Sequence, residues 1–318
     1  MGANHESEAK LQLFLQWLQV NGVELRCCTI KSCGPNKGFG VFTSCVPSED
    51  GVALVVPLDL SITPMRVLQD PYTGPRCRAM LEEGDVDDRF LMILFLTVER
   101  LRPNSSWKPY LDMLPTTFGN PLWFTEDELG ELKGTTLYRA SVLQRKNLQA
   151  LYDDKVKALV DELLRGDERS ESPRDVQFED FLWAYSIFWT RALNIPFPRS
   201  YVFPESFGDQ SNNPACHTGH CGAFKAEMAG ETTDDRSGGT CRDNSILFCK
   251  ESSVDTSSSK AGETVWVEGL VPGIDFCNHG LKPAATWDVD QMGSLTGIPS
   301  SMYLLLGVPS FFIMMGCM

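Results

Sequence analysis

Basic charge is scarce in this chain of 318 residues: 28 Lys and Arg stand against 42 Asp and Glu, for a net charge of −14. An acidic surface argues against general affinity for nucleic acid or anionic membrane, and favours basic partners. No secretory signal is expected from the opening residues. The opening MGANHESEAKLQ has neither the apolar core of a signal peptide nor the basic, acid-poor character of a transit peptide. The eleven cysteines form no framework; an odd count without a secretory route reads as reduced thiols and sets the expectation of a cytoplasmic or nuclear protein. The glycine pair Gly38 and Gly40 does not continue as G-x-G-x-x-G, since Thr43 stands where the third glycine belongs. A dinucleotide or kinase loop is therefore not supported. The apolar stretch from Met302 to Met318 is short for a span, holds Gly307 and Pro309 and lacks a basic flank, so no membrane anchor is expected.

What is present is the composition of a soluble globular protein, 42% hydrophobic and 22% charged. Glu8 to Leu25 reads as a helix with Leu11, Phe14, Leu15 and Leu18 on one face and Gly22 as its stop. Val52 to Pro57, followed by Leu58 to Ile62, reads as one or two short strands. A helical middle follows. Asp87 or Asp88 caps a helix through Arg100, Thr125 and Glu128 form a capping box, and a charged amphipathic segment runs from about Lys133 to Leu164. Phe178 to Asn194 is a further helix, densely aromatic, in which Arg191 must find a partner or reach water. Gln210 to Gly262 is rich in Ser, Gly, Thr and Asp and reads as a flexible surface insertion. It holds Cys216, His217, His220 and Cys221, but their spacing to Cys241 and Cys249 fits no common zinc module, and no metal is assigned.

Two stretches concentrate the chemistry. Gly269 to Gly280 (GLVPGIDFCNHG) is an apolar run broken by Pro-Gly, then Asp275, Asn278 and His279 within five residues. Strand running into turn is the reading, with polar groups in irregular backbone near a sheet, where they can converge on a ligand. Asp and Asn also satisfy turn backbone on their own account. Far upstream, Lys37-Gly38-Phe39-Gly40 makes a bend whose backbone a flat ligand can approach, a pattern shared with ordinary hairpin turns.

In chain order, KGFGVF, SSWKPYLDMLP, WAYSIFWTRA and VPGIDFCNHG resemble the SET-domain methyltransferases of the RuBisCO large-subunit methyltransferase type, from about residue 8 to about residue 290. The resemblance implies an α+β fold, a SET-type β fold interrupted by a large helical insertion. It divides the chain into 1–68 (N-terminal helix and first SET segment), 69–262 (helical insertion), 263–306 (second SET segment, incomplete) and 307–318 (non-native tail). It also implies S-adenosylmethionine as cofactor, with Lys37, Gly38, Phe39 and Gly40 lying along it, Arg191 facing its carboxylate, and Asn278 and His279 holding its amine and adenine regions. Asp275, with Arg191, would line the substrate-lysine pocket. The partner implied is a protein offering a lysine to a monomeric enzyme; a histidine acceptor occurs in related proteins. The resemblance fails at the C-terminal end, where the strand pair, the catalytic tyrosine segment and the helical substrate-binding domain are expected to be missing, leaving apolar surface exposed. Tyr303 has no acidic prefix and is given no catalytic role. An inactive SET-like fragment that binds cofactor or a protein partner is the alternative reading.

Overall fold

The structure, a computed structural model, describes residues 2–34, 37–44, 51–84, 86–165, 175–203, 264–278, 285–289 and 301–306. Helix α1 (Gly2–Val20) starts ahead of the expected Glu8 and buries Leu11, Phe14 and Leu18 in one stripe. It ends before Gly22, and Glu24–Leu25 is already strand β1. Strands β2 (Cys28–Ser32) and β3 (Phe39–Thr43) form an antiparallel hairpin in which Ser32 faces Phe39 and Cys28 faces Thr43. Strand β4 (Val52–Pro57) is buried from Val52 to Val56, as a continuous apolar run covered on both faces should be. The strand expected over Leu58–Ile62 is corrected: Leu58–Leu60 is a 3-10 turn, because the Ser61 N–H closes on the Leu58 carbonyl and Thr63 caps the next helix. Only Ile62 pairs, with Leu270.

The helical middle comprises α2 (Pro64–Gln69), α3 (Gly74–Glu83), α4 (Asp88–Leu101), α5 (Lys108–Leu111), α6 (Glu126–Gly130), α7 (Thr136–Leu151), α8 (Lys157–Arg165) and α9 (Phe178–Arg191). Asp87 caps α4, accepting from the Phe90 N–H at 2.8 Å, and the Thr125–Glu128 capping box opens α6. The segment read as one stretch from Lys133 to Leu164 is broken by a π-turn at Tyr152–Val156, whose Tyr152 hydroxyl donates to the Val176 carbonyl at 2.6 Å. Helix α4 is buried nearly all round and packs on α9, so these two form the centre of the insertion.

Helix α9 stops at Arg191, and Asn194 belongs to strand β5 (Leu193–Pro198), not to the helix. Pro196 explains the change, since a proline drives the residue before it into extended backbone. After α10 (Arg199–Val202), β6 (Thr264–Gly269) pairs with β5 from Leu193–Gly269 to Pro198–Thr264. Strands β7 (Ala285–Val289) and β8 (Ser301–Leu306) then join a four-stranded antiparallel sheet of order β1-β4-β8-β7. Met302 and Leu304 of β8 are buried, two residues apart on one face. The expectation that no strand pair follows Gly280 is therefore corrected: β8 pairs with β7 and with β4, the latter from Val52–Leu305 to Pro57–Ser301 with an irregularity between Val52 and Leu54. The segment Gln210 to Gly262 with its Cys216–Cys221 cluster, and residues 307–318, lie outside the described residues. Among the described residues no helix is long and apolar enough to cross a membrane.

An aromatic cluster ties the parts together. Phe14 lies 5.2 Å from Phe276 and 6.1 Å from Tyr110, Trp17 stacks on Tyr110, and the Trp17 indole N–H donates to the Ser106 carbonyl at 2.9 Å. Phe14→Ala should therefore cost about 3–5 kcal/mol of stability, read from urea unfolding. A second prediction concerns Asp88, whose carboxyl is raised above its usual 3.8 by burial, with Asp87 and Glu268 adding to the effect. The folded state then binds this proton more tightly than the unfolded chain, so the stability it contributes is full below 3.8 and is lost as pH rises through the folded value. Asp88→Asn should melt higher than the parent at neutral pH, and the gain should vanish in acid.

Candidate functional site

The polypeptide reverses after Pro272 because Gly273 takes φ +100°, a conformation an L side chain rarely adopts. A 3-10 turn, Ile274–Phe276, follows, with the Asp275 N–H donating to the Val271 carbonyl at 3.0 Å and the Cys277 N–H to the Ile274 carbonyl at 2.9 Å. This geometry points the Asp275 side chain inward, where it has no solvent exposure.

Each Asp275 carboxylate oxygen has a partner. The Tyr110 hydroxyl donates to Oδ2 at 2.7 Å, Arg191 Nη1 donates to Oδ2 at 3.1 Å, and the Gly273 N–H donates to Oδ1 at 3.2 Å. Arg191 Nη1 also donates to the Asp275 carbonyl at 2.9 Å. Burial pushes the Asp275 carboxyl above its ordinary value, against the opposing pull of Arg191, Tyr110 and the Gly273 N–H. Burial likewise lifts the Tyr110 phenol well above its usual range, aided by the Asp275 charge, so the hydroxyl keeps its proton and is the donor. The Arg191 guanidinium also lies over the Phe276 ring, 4.8 Å from its centroid. Nη1 carries both bonds to Asp275, and among the described residues Nε and Nη2 make no hydrogen bond.

The hairpin meets the same segment three residues on. The Asn278 amide Nδ2 donates to Cys33 Sγ at 3.2 Å, and a Cβ built on Gly40 would strike that amide nitrogen and lie 2.7 Å from the same sulfur. Glycine is required at position 40 by this close approach. At the hairpin tip the Cys33 N–H donates to the Gly38 carbonyl at 2.9 Å, and Gly38, at φ +66°, has open space where a side chain would stand. Lys37 is exposed and Phe39 half-buried.

Of the residues singled out in the sequence, Arg191 and Asp275 meet directly, and Gly40 and Asn278 meet beside Cys33. Lys37 and Gly38 form the exposed tip, and His279 lies outside the described residues. Asp275 is a buried anchor whose oxygens accept from Arg191, Tyr110 and Gly273. The sequence reading missed Tyr110 and Cys33. Tyr110 sat in an aromatic, proline-bounded segment that reads as packing, although its polar tip needed a buried acceptor. The Cys277 thiol is pushed up to about 12, chiefly by burial, and is no nucleophile at neutral pH. Among the described residues no group of three His, Cys, Asp or Glu is placed to hold a metal. The arrangement offers an oriented guanidinium, an exposed primary amide and open backbone, the donor set for a carboxylate-bearing ligand.

No family model matches the chain. It is 27% identical over 84% of its length to the [fructose-bisphosphate aldolase]-lysine N-methyltransferase of Arabidopsis thaliana, covering 50% of that protein. It is 28% identical over 61% of its length to the ribulose-1,5-bisphosphate carboxylase/oxygenase large subunit N-methyltransferase of Pisum sativum, covering 37% of it. It is also 27% identical over 57% of its length to the human actin-histidine N-methyltransferase, covering 30% of it. The chain thus spans half or less of the length of these relatives. A crystal structure of the SET domain of LSMT bound to lysine and AdoHcy superimposes with a TM-score of 0.55 over 94% of this chain and 50% of that one, at 21% identity. The fold is the SET fold of that type, and the homologues are Rubisco large-subunit-type SET-domain methyltransferases.

Removing the anchor has a defined cost. Asp275→Ala leaves the Arg191 guanidinium, only 17% exposed, without its counter-ion. Chemical denaturation should show a loss of about 3–5 kcal/mol.

Proposed function

We propose that the chain binds S-adenosylmethionine and serves transfer of its methyl group to a lysine side chain of a protein. The observation that supports this most is the Arg191 guanidinium, held along one edge by Asp275 and on one face by Phe276. Its remaining donors suit an α-carboxylate, which a planar, permanently charged fork binds well. The exposed Asn278 amide offers a partner for the amine and adenine regions of such a ligand, the role that the resemblance gives to it and to His279. Lys37, Gly38 and Phe39 offer backbone that a ligand can approach, with no side chain in the way at Gly38, while Gly40 seats Asn278 beside Cys33. When bound, the cofactor supplies a methyl group on a sulfonium. The reaction asks little acid-base work of the protein beyond alignment of a deprotonated amine, and exclusion of water helps the ammonium lose its proton.

A lysine acceptor is favoured over histidine by the extent of the resemblance. A lysine-methylating relative matches 84% of this chain, whereas the actin-histidine methyltransferases match 57%. The acceptor segment should be basic, given a net charge of −14 on the chain that receives it.

Calorimetric titration of the full chain with S-adenosylmethionine tests the proposal. Saturable binding is expected, weakened at least tenfold, or about 1.4 kcal/mol, by Asn278→Ala. Gly40→Ala should also lose affinity by displacing Asn278, with its circular dichroism unchanged. A methyl-labelling search for lysine acceptors follows binding; binding without label transfer supports a cofactor-binding module in place of an enzyme. A folded sample that does not bind removes the cofactor assignment.

A further inference from the structure

We propose that Tyr110 is a positioning residue for the amino-acid end of the cofactor, acting through Asp275 on Arg191. This rests on the proposed function above. Tyr110 is fully buried, and its ring is fixed by Phe14 and by Trp17, which stacks on it. Its hydroxyl keeps its proton and donates at 2.7 Å to the same Asp275 oxygen, Oδ2, that receives Arg191 Nη1 at 3.1 Å. The guanidinium is therefore steered twice: its edge by a carboxylate that Tyr110 and the Gly273 N–H hold in place, its face by Phe276.

Without the Tyr110 hydroxyl, Oδ2 keeps Arg191 as its one hydrogen-bond donor among the described residues. A buried carboxylate that loses a donor rotates toward another or takes up a proton, and either response loosens Nη1. The adenosine side of a ligand would be served by the hairpin backbone, whereas the contacts of Tyr110 are to Asp275, Phe14 and Trp17. The consequence is selective: loss of the hydroxyl should weaken only ligands that carry the carboxylate.

The test compares S-adenosylhomocysteine, which carries the amino-acid group, with 5′-methylthioadenosine, which keeps the adenosine and the thioether but lacks it. Tyr110→Phe should bind S-adenosylhomocysteine about tenfold more weakly than the parent, the loss expected for one charge-assisted hydrogen bond. Binding of 5′-methylthioadenosine should stay within about twofold. Asp275→Asn, which keeps the shape and removes the charge, should give the same selective pattern and serves if Tyr110→Phe does not fold. Equal loss of both ligands would mark Tyr110 as structural support only and overturn the inference, as would undiminished binding of S-adenosylhomocysteine. If the parent itself binds neither ligand, the cofactor reading fails and takes this inference with it, a result distinct from the other two.

Discussion

The ion pair between Asp275 and Arg191 is the constraint around which the rest of the structure is arranged. A carboxylate with no solvent exposure is costly unless its oxygens are filled, and here they are filled by a phenol, a guanidinium and a backbone N–H. Those donors come from three separate parts of the chain: α5, the end of α9 and the turn after β6. Each must be in register for the charge to be tolerated. Arg191 is the last residue of α9, and β5 starts two residues later alongside β6. Packing alone would hold these pieces near one another; the buried charge selects one arrangement among the near alternatives.

The insertion is therefore joined to the sheet by polar as well as apolar contacts. Besides Tyr110, Arg89 at the start of α4 reaches Glu268 on β6 at 2.6 Å and lies over the Trp189 ring of α9. Farther inside the insertion, Glu99 is buried with Ser105 and Arg102 as partners, and burial raises its carboxyl. The Ser105 hydroxyl accepts from the Trp107 N–H at 3.1 Å, so this network holds the start of the segment that presents Tyr110. The chain from Glu99 to Tyr110 thus runs from one buried carboxylate to the phenol that donates to another, Asp275.

Much of this was legible in the sequence, and what was not has physical reasons. The α1 stripe, the Asp87 and Thr125 caps and the β4 run are local signals, carried by periodicity or by a side chain meeting its own backbone. Gly40 and Asn278 could be nominated because each stood in an unusual stretch. The 3-10 turn at Leu58–Leu60 was not legible, since an apolar triplet after a strand reads as more strand until its hydrogen bonds are known. The Asn194 misreading arose because helix and strand abut with a single residue, Ala192, between them. Strands β7 and β8 were invisible because β8 owes its place to pairing with β4, about 250 residues earlier, and not to a local pattern. The inward direction of Asp275 depends on Gly273, one rotation that no composition rule reports.

The contact between Asn278 and Cys33 spans 245 residues of chain, and Tyr110 to Asp275 spans 165. Contacts of that reach form against a large loop-closure entropy, whereas α4, α7 and α9 gain most of their bonds locally. The helical middle is thus able to gather first, and the two β-bearing ends close around it afterwards. During synthesis the hairpin at Cys28–Thr43 must wait until the chain has grown 245 residues past Cys33 before its partner at Asn278 exists. Until then β4 lacks its neighbour β8, and this interval is when the newly made chain is most exposed to misassociation.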